Sequence, residues 1–211
     1  MESDIAAINT TAIKEQLKQH QMRVSKICEG IARALNIPHS NLIELLLAAQ
    51  LHDIGKLWIP ENIVNKPDKF TEEEKEIMKK HVWYGYNYIK ERKMSNSIAE
   101  AILYHHERFD GKGYIGLKGK EIPLFSRIIA VADAFDVMTN DRPYRRALGF
   151  EEALEEIKRN SGTQFDPEFV EIFIKHTFLF KNATLEDKNS DKTALIQKIS
   201  KESGQKKNRF C

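Results

Sequence analysis

The stretch Leu51-His52-Asp53-Ile54-Gly55-Lys56 constrains this chain more than any other, because it sets an imidazole, a carboxylate and an ammonium at the end of the most apolar run. From about Leu42 to Leu51 the sequence LIELLLAAQL is hydrophobic almost all round, as a helix enclosed by other helices must be. Buried charge is costly unless it is paired or binds a metal. His52 and Asp53 therefore require partners from elsewhere in the chain.

Those partners occur at helical spacings on both sides. From about Ile5 to Leu35, the positions Ile13, Leu17, Val24, Ile27, Ile31 and Leu35 trace one helix face, and His20 lies on that stripe. Thr71 and Glu74 form a capping box opening a helix from about Glu72 to Lys90, in which His81 shares a face with Ile77, Tyr84 and Tyr88. Taken alone, each of these histidines reads as a core residue satisfied by a nearby carbonyl. Ser97 and Glu100 form a second expected capping box, and its short helix leads into His105-His106-Glu107. Neighbouring helical residues point about 100° apart, so both rings serve one site only if the helix ends there or the site is broad. A second apolar run, LFSRIIAVADAFDVM from Leu124 to Met138, embeds Asp133 and Asp136. Asp133 is tolerable there if it coordinates a cation or pairs with a base; Asp136 can do the same or orient a histidine.

The remaining punctuation is that of a helical protein. Pro38 ends the first helix, Asn41 and Glu44 read as a capping pair for the next, and Gly55 reads as a C-terminal cap. A loop from Trp58 to Lys69 carries two prolines, and Arg108 to Pro123 carries four glycines. That glycine count fits a surface loop, and such a loop can also bring N–H groups close to an anion. Asp141 to Arg146 is a compact basic turn. Helices follow from about Phe150 to Asn160 and from Pro167 to His176, the latter capped by Asp166. The expected organisation is one all-α domain over residues 1–181 and a polar tail, mobile or loosely docked, over 182–211. There is no internal repeat, and His39 and His176 receive no role.

Composition narrows the classes of function. A net charge of +2 with 30% charged residues excludes a protein that coats nucleic acid or membranes, so any phosphate binding is local. Cys28 and Cys211 are too few for a disulfide framework or a cysteine zinc site, which fits a reducing cytoplasm. The first residues lack a signal-peptide pattern and no apolar stretch is long enough to span a bilayer. The expectation is a soluble cytoplasmic protein with no DNA and no membrane partner.

Five inward or helix-end histidines with buried aspartates point to a metal site, and imidazole mixed with carboxylate suits iron or manganese. Seven side chains are too many for one ion. His20, His52, Asp53 and Asp133 would fill one, and Asp53 would bridge to a second held by His81, His105 and His106. Two such ions generate a bridging hydroxide at neutral pH and neutralise both oxygens of an in-line displacement at phosphorus. Phosphodiester hydrolysis is the natural inference, with Asp53 and Lys56 in catalytic roles and Lys56, Arg142 and Arg145 binding phosphate.

These motifs resemble the HD-GYP family of HD-domain phosphohydrolases, from His20-Gln-Met-Arg-Val24 through HDIGK, His81, HHERFDGKGY, IPLFSRIIAVADAFDVMTNDRPYR and GTQFDP. The likeness covers about residues 15–175. It implies an HD-domain helical bundle, an iron or manganese centre and hydrolysis of cyclic di-GMP or a related cyclic dinucleotide. It also implies docking to diguanylate cyclase (GGDEF) proteins through the glycine-rich loop. Two departures stand out. The family's Gly-Tyr-Pro is here Gly113-Tyr114-Ile115, as though the proline were missing and the loop one residue shorter. Where some members carry a glutamate supporting a third metal, this chain has Gln16, so the expectation is two ions. The alternatives are a catalytically weak cyclic di-GMP effector or scaffold, and an HD phosphohydrolase acting on other nucleotides.

Overall fold

The computed structural model describes residues 2–141 and 146–177, with side chains from Leu17 onward. The helices that carry the site are α1 (Glu2–Ala34), α2 (His39–Leu51), α5 (His81–Glu91), α6 (Asn96–Tyr104) and α7 (Leu124–Thr139). The others are α3 (Glu61–Val64), α4 (Glu72–Lys79), α8 (Phe150–Arg159) and α9 (Pro167–Lys175). Single 3₁₀ turns occupy Ile54–Trp58 and Gly119–Glu121. The fold is the expected all-α class; among the described residues β pairing is limited to an isolated bridge between Ser161 and Phe165. No described helix is long and apolar enough to cross a membrane.

The core follows from the apolar stripes. α1 packs on α2 and α7, α2 on α6, α6 on α5 and α7, and both α8 and α9 on α7. Val24, Ile27 and Ile31 from α1 are buried with Leu45 and Ala49 from α2, Ile102 from α6, and Ile128, Ile129 and Phe135 from α7. Burying each large apolar side chain contributes about 1.5–3 kcal/mol, so the two apolar runs lie where the core is thickest. The first leads directly into His52 and Asp53, and the second carries Asp133 and Asp136. Met1–His176 groups as one compact unit; the expected division at residue 181 lies outside the described residues.

Local structure departs from the sequence reading in four places. α2 begins at His39 with Pro38 as its N-cap, and the Pro38 carbonyl accepts Leu42 N–H at 2.9 Å, so Asn41 and Glu44 do not cap it. α6 is capped by Ser95, whose hydroxyl accepts Ser97 N–H at 3.1 Å, in place of a Ser97 and Glu100 box. The helix expected from Glu72 to Lys90 is broken at Lys80, which makes His81 the first residue of α5. Gly55 lies inside the 3₁₀ turn and is not the cap of α2, a place taken by His52. Its reason is contact: a β-carbon there would overlap the His81 carbonyl and lie 2.6 Å from Gly85 N. Glycine lets the turn after Asp53 rest directly on α5. The Thr71 and Glu74 capping box and the Asp166 cap are present as read.

Candidate metal centre

Three of the site's histidines are held by one local device. The last carbonyls of a helix have no partner within it. His52 and His105 cap α2 and α6, while His81 follows Lys80, the residue that caps α4. In each, Nδ1–H donates to the carbonyl three residues back: His52 to Ala49 at 2.7 Å, His81 to Met78 at 2.6 Å, His105 to Ile102 at 2.7 Å. That bond fixes the tautomer and leaves the Nε2 lone pair pointing away from the helix.

All three lone pairs face Asp53. Its Oδ1 lies 3.5 Å from His81 Nε2 and 4.0 Å from His105 Nε2, and its Oδ2 lies 3.5 Å from His52 Nε2. His20 Nε2 is 4.0 Å from Asp53 Oδ2 and 3.2 Å from Asp133 Oδ1. The donor atoms gather into two groups, Asp53 with His81, His105 and His106, and His20 with His52 and Asp133, each within 4.8 Å of one another. Asp53 presents one oxygen toward each side.

The metal requirement can be tested on the polar atoms themselves. His52 Nε2, His81 Nε2, His105 Nε2 and Asp53 Oδ1 are buried and accept or donate no hydrogen bond. Leaving one buried polar group unpaired costs about 1–3 kcal/mol, so four in one cluster require an external partner. A divalent cation fits this set, since it pairs with three imidazole lone pairs and a carboxylate together.

Ionisation agrees with that chemistry. Burial, assisted by neighbouring imidazoles, lowers His105 well below its ordinary value and pulls His106 down to about 3. Burial also lowers His81. These rings are neutral and can donate lone pairs. Burial would raise Asp53, but Lys56 and the surrounding imidazoles outweigh it and hold the carboxyl well below its usual range. His20 is the exception: burial would lower it, yet Asp133 and Asp136 raise it to about 9.

The structure brings together every expected ligand, His20, His52, Asp53, His81, His105, His106 and Asp133. Lys56 reaches the same centre, its Nζ donating to Asp53 Oδ2 at 2.5 Å. Asp136 takes the orienting role, its Oδ2 2.7 Å from His20 Nδ1. Arg142 and Arg145 lie outside the described residues, as does the side chain of Gln16. The centre opens into a cleft of about 780 Å³ whose walls include His20, Asp53, Lys56, His106, Tyr114 and Asp133.

Three contributors carried no role in the sequence reading. Arg23 holds Asp136 with Nε at 2.6 Å and Nη2 at 3.1 Å, completing a chain from Arg23 through Asp136 to His20. Its place three residues after His20, hence on the same helix side, was the available signal. Glu107 is buried and accepts three N–H groups from the glycine-rich loop, and Tyr114 of that loop lies 4.7 Å from the His106 ring. Neither contact has a regular spacing to betray it.

A family model described as an HD domain matches residues 1–169, and the chain belongs to the HD-domain family. Its HD-GYP character, read from the motifs, is borne out by its relatives. A cyclic di-GMP phosphodiesterase of Thermotoga maritima is 44% identical over 163 residues, covering 74% of this chain and 44% of its own length. A 3′3′-cGAMP-specific phosphodiesterase of Vibrio cholerae is 36% identical over 173 residues, covering 80% of this chain and 33% of its own. A solved HDGYP protein of Bdellovibrio bacteriovorus superposes with a TM-score of 0.62 at 22% identity, over 74% of this chain and 50% of that one, which bears out the fold. The chain spans less than half the length of these curated relatives.

Proposed function

We propose that this chain is a metal-dependent phosphodiesterase that hydrolyses cyclic di-GMP or a related cyclic dinucleotide. The observation that carries the reading is the unpaired set around Asp53: three Nε2 atoms and one carboxylate oxygen, all buried and facing one another, with Asp53 and His105 also lining the cleft. His20, His52 and Asp133 would hold one divalent ion and His81, His105 and His106 a second, with Asp53 between them. Iron or manganese suits this mixture of imidazole and carboxylate. Such ions would activate water as the nucleophile and offset charge on the phosphoryl oxygens.

The chain's own residues supply the rest. Asp53 fixes the span between the two sides through its two oxygens. Lys56 lines the cleft and presents an ammonium beside Asp53, where it can meet a non-bridging phosphate oxygen. Arg142 and Arg145 are assigned to phosphate binding on the sequence pattern. The cleft falls within the roughly 300–1,000 Å³ of ordinary ligand sites, ample for a small molecule rather than a polymer. Both curated relatives described above are named for cyclic dinucleotide hydrolysis, which supports the substrate class. Neither the geometry of the glycine-rich loop nor the relatives' names supports a diguanylate cyclase partner for it. A cytoplasmic setting, and a domain ending near residue 181 followed by a polar tail, rest on the sequence.

The test is turnover under anaerobic conditions with Fe(II) or Mn(II), offering cyclic di-GMP and 3′3′-cGAMP separately. Linear dinucleotide or mononucleotide should accumulate, and chelation should stop it. Protein that carries metal and binds the dinucleotide intact would instead be an effector.

A further inference from the structure

Four of the five site histidines are fixed at Nδ1: His52, His81 and His105 by carbonyls and His20 by Asp136. His106 is not. Among the described residues its ring makes only aromatic contacts, 4.0 Å from His105, 5.1 Å from His81 and 4.7 Å from Tyr114. The two neighbouring histidines are rigid, so the remaining freedom of His106 is limited by Tyr114, whose ring tilts 36° across it.

Tyr114 is in turn held by the residue that follows His106. Glu107 is 3% exposed, and its carboxylate satisfies itself wholly on the loop. Ile115 N–H donates to Oε1 at 2.7 Å, while Gly116 and Leu117 N–H donate to Oε2 at 2.7 and 2.6 Å. The loop closes tightly on this acid: a β-carbon on Gly113 would lie 2.5 Å from Glu107 Cα and 2.7 Å from Oε1. Gly116 supplies the left-handed backbone, at φ 104°, that turns consecutive amides toward one carboxylate. The departure from Gly-Tyr-Pro acquires a physical meaning here. A proline at position 115 has no N–H, whereas Ile115 adds a third donor to the grip.

We propose that Glu107 is a positioning residue for metal binding: by gripping the Ile115–Leu117 amides it seats Tyr114 on His106 and so orients the one site imidazole that no hydrogen bond among the described residues holds. This rests on the centre being a metal site, as read above, and does not depend on which substrate is cleaved. Outer partners that orient a ligand typically carry ten- to hundredfold in metal affinity. The effect should fall on the side of Asp53 to which His106 belongs and spare the His20 side.

The experiment is an anaerobic Mn(II) titration of the full chain by calorimetry, with electron paramagnetic resonance to separate single ions from a coupled pair. Melting of each metal-free variant reports folding. Glu107→Gln and Tyr114→Ala should each weaken one of the two ions about tenfold, with the other unchanged and the coupled signal lost at low Mn(II). Tyr114→Phe, which keeps the ring, should restore both. If Glu107→Gln does not fold, Ile115→Pro read against Ile115→Val removes a single donor and should weaken the same ion about threefold, a fraction of the full effect. Equal weakening of both ions, or Tyr114→Ala binding both as the parent does, overturns the proposal, as does a parent chain that takes up no Mn(II). A parent that binds two ions yet cleaves no cyclic dinucleotide sinks the phosphodiesterase reading alone, and a selective loss in the variants then still upholds this one.

Discussion

The two sides of Asp53 are built by different means. On one side His81 and His105 are pinned by uncharged backbone carbonyls at helix ends. On the other side His52 is pinned in the same way by the Ala49 carbonyl, but His20 is backed by Asp136, which is itself held by Arg23 and by Asn140 at 3.0 Å. The carboxylates set His20 apart: Asp133 at one ring nitrogen and Asp136 at the other raise it to about 9 against the effect of burial, whereas burial lowers His81 and His105. Carbonyls fix direction; a carboxylate fixes direction and also strengthens the base.

The comparison can be broken or sharpened by substitution. The largest effect is expected for Asp53→Ala, which removes the one group shared by both sides: bound metal, measured by elemental analysis, and turnover should disappear together. Full metal content in that variant would refute the bridging role. Asp136→Asn leaves the shape but removes the charge behind His20, and should weaken one ion about ten- to hundredfold in a Mn(II) titration while the other holds. Loss of both ions in step would show that the two sides do not act separately. Gly55→Ala drives a β-carbon into the His81 carbonyl and should cost about 3 kcal/mol, the upper end of ordinary overpacking, read as a lower urea midpoint. An unchanged midpoint would mean the contact between the turn and α5 can open freely.

The smallest effect is expected away from the centre, at Asp166. This buried acid accepts from Arg127 at 2.5 Å and lies 3.1 Å from Lys120, and these cations, outweighing burial, hold its carboxyl below the ordinary aspartate value. A carboxyl depressed in the folded state adds stability above its unfolded pKa of about 3.9 and loses it as pH falls through the folded value. Asp166→Asn can keep the cap on α9 while removing the charge, so it should be about 1–2 kcal/mol less stable at neutral pH, with the gap to the parent closing below about pH 4. Metal affinity on both sides should be untouched. A gap that persists at pH 2 would assign the loss to packing instead.

The ligands were legible in the sequence because metal chemistry needs particular residue types and the helical period places them. His20 on an apolar stripe and Asp133 inside an apolar run are anomalies that a core does not tolerate without cause. Helix starts were less legible. A Ser, Thr or Asn three residues before a glutamate caps only if its own backbone is extended, and Pro38 and Ser95 claimed those positions three and two residues earlier. The break at Lys80 was hidden for a related reason: His81 keeps nearly the same angular place whether or not the helix pauses before it. Glu107 was invisible because its partners are main-chain amides, and an amide leaves no mark on residue identity.

The meeting of Gly55 with Gly85 has one more consequence. Where two protein segments touch through side chains, a rotamer can change and the gap between them can stretch or shrink. Here main chain rests on main chain, and no such adjustment is open. The separation of His52 from His81 is therefore a rigid gauge, preset by the thickness of the polypeptide before any ligand arrives.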